Sequence, residues 1–153
     1  LIAEQYWRHF QIASVGIRPH VVYGPERVQG LTAGPSLATR AAMEGRDFTI
    51  GYTGRAGYDY VEDVALAFVR SAWETPPGSQ IVDLPGEVAS TEEFAAAIRA
   101  AVPGSTGQIN VAGPPIPSNI PPQPHWISHL YPDWRATSLA EGVRRTAAFY
   151  QTT

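Results

Sequence analysis

The stretch that most constrains this chain is Arg18-Pro19-His20-Val21-Val22-Tyr23-Gly24-Pro25. Val15 to Val22 is rich in β-branched residues and runs into a Tyr-Gly-Pro turn, the pattern of a strand that stops abruptly. Segments of helical period lie on either side, so strands and helices alternate and an α/β architecture is expected. In such sheets ligands collect outside the carboxyl ends of the strands, which draws attention to Tyr23 and the loop after it.

The remaining elements follow from periodicity and punctuation. Ile2, Ala3, Tyr6, Trp7 and Phe10 recur at three- and four-residue spacing, giving an opening amphipathic helix whose stripe suits a core or an oligomer face. Ser36 to Glu44 is an alanine-rich helix after Gly34-Pro35, with Gly45 placed to end it. Asp47 to Tyr52 alternates as a strand. Asp63 is placed to cap a helix through about Trp73 that buries Val64, Ala67, Phe68 and Ala72. Pro76-Pro77-Gly78 breaks it, and Gln80 to Leu84 forms a third strand. Ser90-Thr91-Glu92-Glu93 is a capping box opening a helix with Phe94, Ala97, Ile98 and Ala101 on one face. Pro103-Gly104 stops that helix, and Gln108 to Val111 is the last strand. Gly113 to Pro124 holds six of the fourteen prolines, so it is expected to be an extended arm docked through Ile116, Ile120 and Trp126. A second capping box, Ser138 to Glu141, opens a final helix with Leu139, Val143, Ala147 and Tyr150 on its face. No internal repeat is visible.

Composition narrows the partners. A formal net charge of -3 without dense basic clusters argues against nucleic acid or an anionic membrane. No apolar run approaches the roughly 20 residues of a membrane span. The first ten residues carry Glu4, Gln5, Arg8 and His9, unlike a signal peptide. The absence of cysteine removes disulfides, thiol chemistry and cysteine-based zinc sites together. A cytoplasmic protein that handles a small molecule is the expectation.

Four motifs in order carry a family resemblance. These are the opening helix, Arg18-Pro19-x-x-Val22-Tyr23-Gly24-Pro25, Tyr58-Asp59-Tyr60-Val61-Glu62-Asp63-Val64-Ala65, and Ser138-Leu139-x-Glu141-Gly142 through Tyr150. Together they resemble the C-terminal portion of the extended short-chain dehydrogenases/reductases, the NAD-dependent epimerase/dehydratase group. The resemblance spans essentially all of the chain. It implies the C-terminal part of a Rossmann-type NAD(P)-binding fold with its small substrate-binding lobe over residues 1–153, the dinucleotide-binding half being N-terminal to Leu1. It also implies a parent enzyme that acts by hydride transfer on a hydroxyl-bearing small molecule, as epimerase, dehydratase or reductase. NAD or NADP would serve the parent, while this chain alone is expected to bind neither. A homodimer through the opening helix is implied as well. The alternative is a non-catalytic module for small-molecule binding or self-association.

The resemblance assigns no catalytic residue here, because the family's Tyr-x-x-x-Lys would lie upstream; Phe10 stands four residues after Tyr6. It implies that the Pro19, His20 and Val21 backbone borders the nicotinamide. The residue-level alternative is a plain buried strand. Two positions depart from the family pattern. Val21 stands where nucleotide-sugar members commonly carry asparagine, and valine cannot hydrogen-bond a sugar or pyrophosphate. Ala56-Gly57 replaces a frequent Arg-Asp, with Arg55 displaced by one residue.

Tyr23, Arg27, Thr32 and Arg55 are the candidate substrate residues. Tyr23 ends a strand, and the other three lie on glycine-rich loops of the kind that carry binding groups. Paired guanidinium groups suit an acidic substrate. Core packing for Tyr23 and solvated surface for the arginines are the alternatives. Both arginines are expected after strand ends on the C-terminal side of the sheet. His125 and His129 have the spacing of a helical metal pair but no evident third ligand, so no metal is expected. Glu62-Asp63 is read as helix start rather than as a catalytic pair.

Overall fold

The computed structural model describes residues 2–84, 86–117 and 125–151. The order is α1 (Ile2–Phe10), β1 (Ser14–Arg18), β2 (Val21–Tyr23), α2 (Gly34–Met43), β3 (Phe48–Ile50), β4 (Arg55–Tyr60), α3 (Val61–Trp73), β5 (Ser79–Asp83), β6 (Glu87–Ser90), α4 (Thr91–Ala101), β7 (Ile109–Val111) and α5 (Leu139–Gln151). The strands form three small ladders. β1 pairs with β5 and β3 with β7, both parallel, while β4 lies between parallel β2 and antiparallel β6. The α/β expectation holds, with more strands than the four expected.

Three departures have local causes. The single strand expected over Val15 to Val22 is two strands, because Pro19 has no N–H to give a ladder and the halves turn to different partners. β4 and β6 add to the strands expected; Ala56, Tyr58 and Tyr60 of β4 alternate with Arg55, Gly57 and Asp59, and all but Arg55 are buried because β4 lies between β2 and β6. α3 starts at Val61, two residues before Asp63. Asp63 therefore lies in the first helical turn, where its charge suits the dipole. Its carboxylate accepts from the Thr137 amide and hydroxyl at 2.7 and 2.8 Å, tying α3 to the approach to α5. Of the face expected to be buried, Ala67 is buried and Val64 packs on it, but Phe68 is 54% exposed and Ala72 is also exposed.

The larger core lies where α2, α4 and α5 cover β2–β4–β6. Tyr23, Tyr58, Tyr60 and Phe94 fill its centre, with Tyr23 edge-on to Phe94 at 4.9 Å. The Ser90–Glu93 capping box forms as expected and aims Phe94 and Ile98 inward. Ser138 accepts from the Glu141 amide, but the Glu141 carboxylate pairs with Arg144 and Arg145, so the second box is half formed. The smaller core lies under α3, where Ala67, Val82, Leu84, Ile127, Tyr131 and Trp134 pack together. α1 buries nothing: Ile2, Tyr6 and Phe10 are 78, 51 and 67% exposed. The start of the proline-rich arm docks in extended form, with the Thr53 amide donating to Pro114 O and the Ile116 amide to Thr53 O. Ile120 lies outside the described residues.

Candidate functional site

Parallel β2 and β4 end side by side, Val21 beside Tyr58 and Tyr23 beside Tyr60. The 24–33 loop leaves from this end. Gly24 has φ +144° and sits so close to Val61 that a Cβ would lie 2.4 Å from its Cγ1, so only glycine turns the chain here. The Gly24 amide donates to Ser36 Oγ at 3.1 Å, and the Glu26 amide to the Tyr150 hydroxyl at 3.2 Å. Within the loop the structure brings two expected residues together: Arg27 Nη2 donates to Thr32 Oγ1 at 3.2 Å. Arg27 Nε is buried without a hydrogen-bond partner among the described residues. A half-buried guanidinium beside a hydroxyl can grip a carboxylate or phosphate.

Two expectations are corrected. Tyr23 is 1% exposed and does not face the loop. The pleat of β2 turns it inward with Val21, and Gly142 of α5 closes over its hydroxyl, which has no hydrogen-bond partner among the described residues. Burial pushes the Tyr23 phenol well above its ordinary range. Arg55 follows β3 in sequence, but it opens β4, at the end opposite Tyr60, and so does not lie at the C-terminal side of that sheet. The antiparallel pair Arg55–Ser90 sets it against the α4 cap, where it donates to Glu93 and to Val88 O. Arg27 and Arg55 thus belong to different ends of the sheet.

Pro19, His20 and Val21 form the joint between β1 and β2, and a network of acids gathers around it. Arg18 pairs with Asp83 across the ends of β1 and β5 at 2.8 Å. The His20 amide donates to Asp59 Oδ2 at 2.6 Å, and Gly86 packs against the Tyr58–Asp59 backbone. Asp59 is 3% exposed. Its burial pushes the carboxyl up to about 7; the nearby His20 and Gly86 backbone opposes this, and Asp63 and Asp83 reinforce it. Burial holds the His20 imidazole below its ordinary value, with Asp83 opposing and Arg18 assisting. Sequence reasoning missed Asp59 as a site residue, although a carboxylate between two tyrosines in a strand was a readable signal.

Among the described residues no group of three histidines or acids is placed to hold a metal, and none lies around His125 and His129. No helix among them is long and apolar enough to cross a membrane.

No family model matches the chain, and no curated protein matches it in sequence. Its architecture is nevertheless shared with solved structures. UDP-glucose 4-epimerase from Thermus thermophilus, in complex with NAD, superposes with a TM-score of 0.71 at 22% identity, over 96% of this chain and 49% of that one. UDP-glucose 4-epimerase from Thermotoga maritima, with UDP-glucose, gives 0.74 at 19% identity over 97% and 49%. UDP-glucuronic acid 4-epimerase from Bacillus cereus, with UDP-glucuronic acid and NAD, gives 0.72 at 21% identity over 99% and 49%. The chain spans about half the length of each of these structures, and its fold is that of the half it covers.

Proposed function

We propose that this chain is the C-terminal, substrate-binding half of an NAD(P)-dependent oxidoreductase of the extended short-chain type, an epimerase, dehydratase or reductase. The observation that carries this is the common end of β2 and β4, from which the Arg27–Thr32 loop leaves, in a fold shared with half of each of several NAD-complexed epimerases. Ligands of open α/β sheets sit at such strand ends. The cofactor, NAD or NADP, would take up and return a hydride at a substrate carbon bearing hydroxyl.

The residues at the β1–β2 joint fit one border of a nicotinamide. Pro19 has no N–H and the His20 N–H is committed to Asp59, so this backbone offers carbonyl oxygens, which suit the amide donors of a carboxamide. The chain's substrate residues are Arg27 and Thr32. The Arg27 guanidinium, half-buried beside the Thr32 hydroxyl, selects an acidic group, a carboxylate or phosphate, and its partial burial strengthens the pairing. Tyr23 supports the loop from below through core packing.

A homodimer through α1 belongs to the same reading, since Ile2, Tyr6 and Phe10 present an uncovered apolar stripe. That stripe is also what favours a non-catalytic association module as the second reading.

The coding sequence upstream of Leu1 discriminates the two. It should specify Gly-x-x-Gly-x-x-Gly near its start and Tyr-x-x-x-Lys close to Leu1. In the protein so extended, Arg27→Ala should raise the substrate Michaelis constant roughly ten- to a hundredfold, with the cofactor constant unchanged. Equal loss for substrate and cofactor, or no loss, would refute the assignment of Arg27.

A further inference from the structure

Asp59 is a buried acid that substrate binding by Arg27 and Thr32 does not use. It lies where two halves of the sheet system are joined twice. β1 passes into β2 through Pro19-His20, and β5 passes towards β6 through Leu84 and Gly86. The Leu84 amide donates to Arg18 O at 3.2 Å, which brings the two joints together. There the Asp59 carboxyl accepts the His20 amide at 2.6 Å. Two close approaches show that the surroundings are shaped for this contact. A Cβ on Gly86 would lie 1.9 Å from Tyr58 O, so only glycine brings the second joint against the β4 backbone beside Asp59. A Cβ on Gly57 would lie 3.0 Å from the His20 ring, which rests over the strand beside Asp59.

We propose that Asp59 is the positioning residue of the site: by holding the His20 amide it fixes the Pro19–Val21 backbone against β4. This rests on the reading of that backbone as the nicotinamide border. Asp59 touches neither cofactor nor substrate itself.

The charged groups around it are Arg18 and His20 from the joint, Asp83 from β5, Asp63 from α3 and Glu87 from β6. Three of these are already committed: Asp83 to Arg18, Asp63 to Thr137, and Glu87 to the Leu139 amide at 2.7 Å. Asp59 is therefore the carboxyl that answers to the joint. Ionised, it accepts the His20 amide in a charge-assisted hydrogen bond; once protonated, that bond weakens. Asp59→Asn imitates the protonated form at every pH.

The test follows amide resonances of 15N-labelled protein between pH 4 and 9. The His20 amide should move with a midpoint above the usual carboxylate range, and that step should be absent from Asp59→Asn, which keeps the His20 imidazole. A His20 amide that does not move, or that titrates unchanged in Asp59→Asn, overturns the proposal. A second arm uses the enzyme extended through its upstream sequence. There NADH should bind about tenfold more weakly to Asp59→Asn than to wild type at pH 8, and equally at pH 5. Equal affinity at both pH values overturns the positioning role. Absence of NADH binding by the wild type itself would sink the cofactor reading, and the amide titration would still decide the clamp.

Discussion

A carboxyl that positions backbone from inside a protein costs stability, and Asp59 allows the cost to be worked out. Its pKa rises from 3.8 to about 7, with burial as the main cause. The folded protein therefore binds this proton more tightly than the unfolded chain does. By linkage, stability falls as pH rises from about 4 to about 7 and is level above that. At about 1.36 kcal/mol per pH unit the full effect is at most about 4 kcal/mol, and relaxation of the site reduces it to about 2–4 kcal/mol. Asparagine has nearly the same shape and no charge to lose. Asp59→Asn should match wild type near pH 4 and become more stable by about 2–4 kcal/mol at pH 8. Urea unfolding of both proteins at unit intervals from pH 4 to 8 reads this directly. Parallel curves, or a variant that loses ground as pH rises, would refute the argument that Asp59 is a strained buried acid. A variant that gains stability while losing NADH affinity would mark a residue kept for position rather than for folding.

Further outcomes follow from the same geometry. A Cβ on Gly142 would stand 2.0 Å from the Tyr23 hydroxyl, so Gly142→Ala should destabilise by about 1–3 kcal/mol; because that hydroxyl has no partner among the described residues, Tyr23→Phe should be neutral alone and should rescue much of Gly142→Ala in thermal unfolding. Phe10→Glu should shift sedimentation towards monomer at high concentration, whereas a stable monomer unaffected by the substitution would remove α1 as an association face. Calorimetry should detect no micromolar binding of NAD or NADP to the 153-residue chain alone, since a glycine-rich phosphate turn opening a helix is the main source of such affinity. Arg55→Ala should leave the substrate constant of the extended enzyme within about twofold, because Arg55 is engaged at the α4 cap.

Local chemistry made much of this protein legible in advance. The Ser90–Glu93 box, the stop at Gly45 and the apolar face of α5 depend on residues a few positions apart, and all three form as the sequence indicates. Helix α1 was legible too, with a stripe suited to a core or an oligomer face; which of the two it is depends on what lies across from it, and the fold leaves it uncovered. The strands read least well. Pro19 divides one expected strand into two, and the divided pieces are recognisable only from their partners β5 and β4.

The candidate site shows the same division more sharply. Arg27 and Thr32 lie five positions apart on one loop, so the sequence by itself could place them together, and they are hydrogen-bonded. Tyr23 and Arg55 were assigned from their nearness to turns, yet which way a strand faces and which end it presents are set by its neighbours. β6 turned Arg55 to the α4 cap, and Gly142, more than a hundred residues away, sealed Tyr23 in the core. Asp59 is the extreme case. Its partner His20 is brought to it by the pairing of β2 with β4, and no spacing in the sequence encodes that meeting. Residue types and turns fixed the pieces; burial and long-range pairing, which act between segments distant in sequence, decided which polar groups face a ligand and which hold the fold.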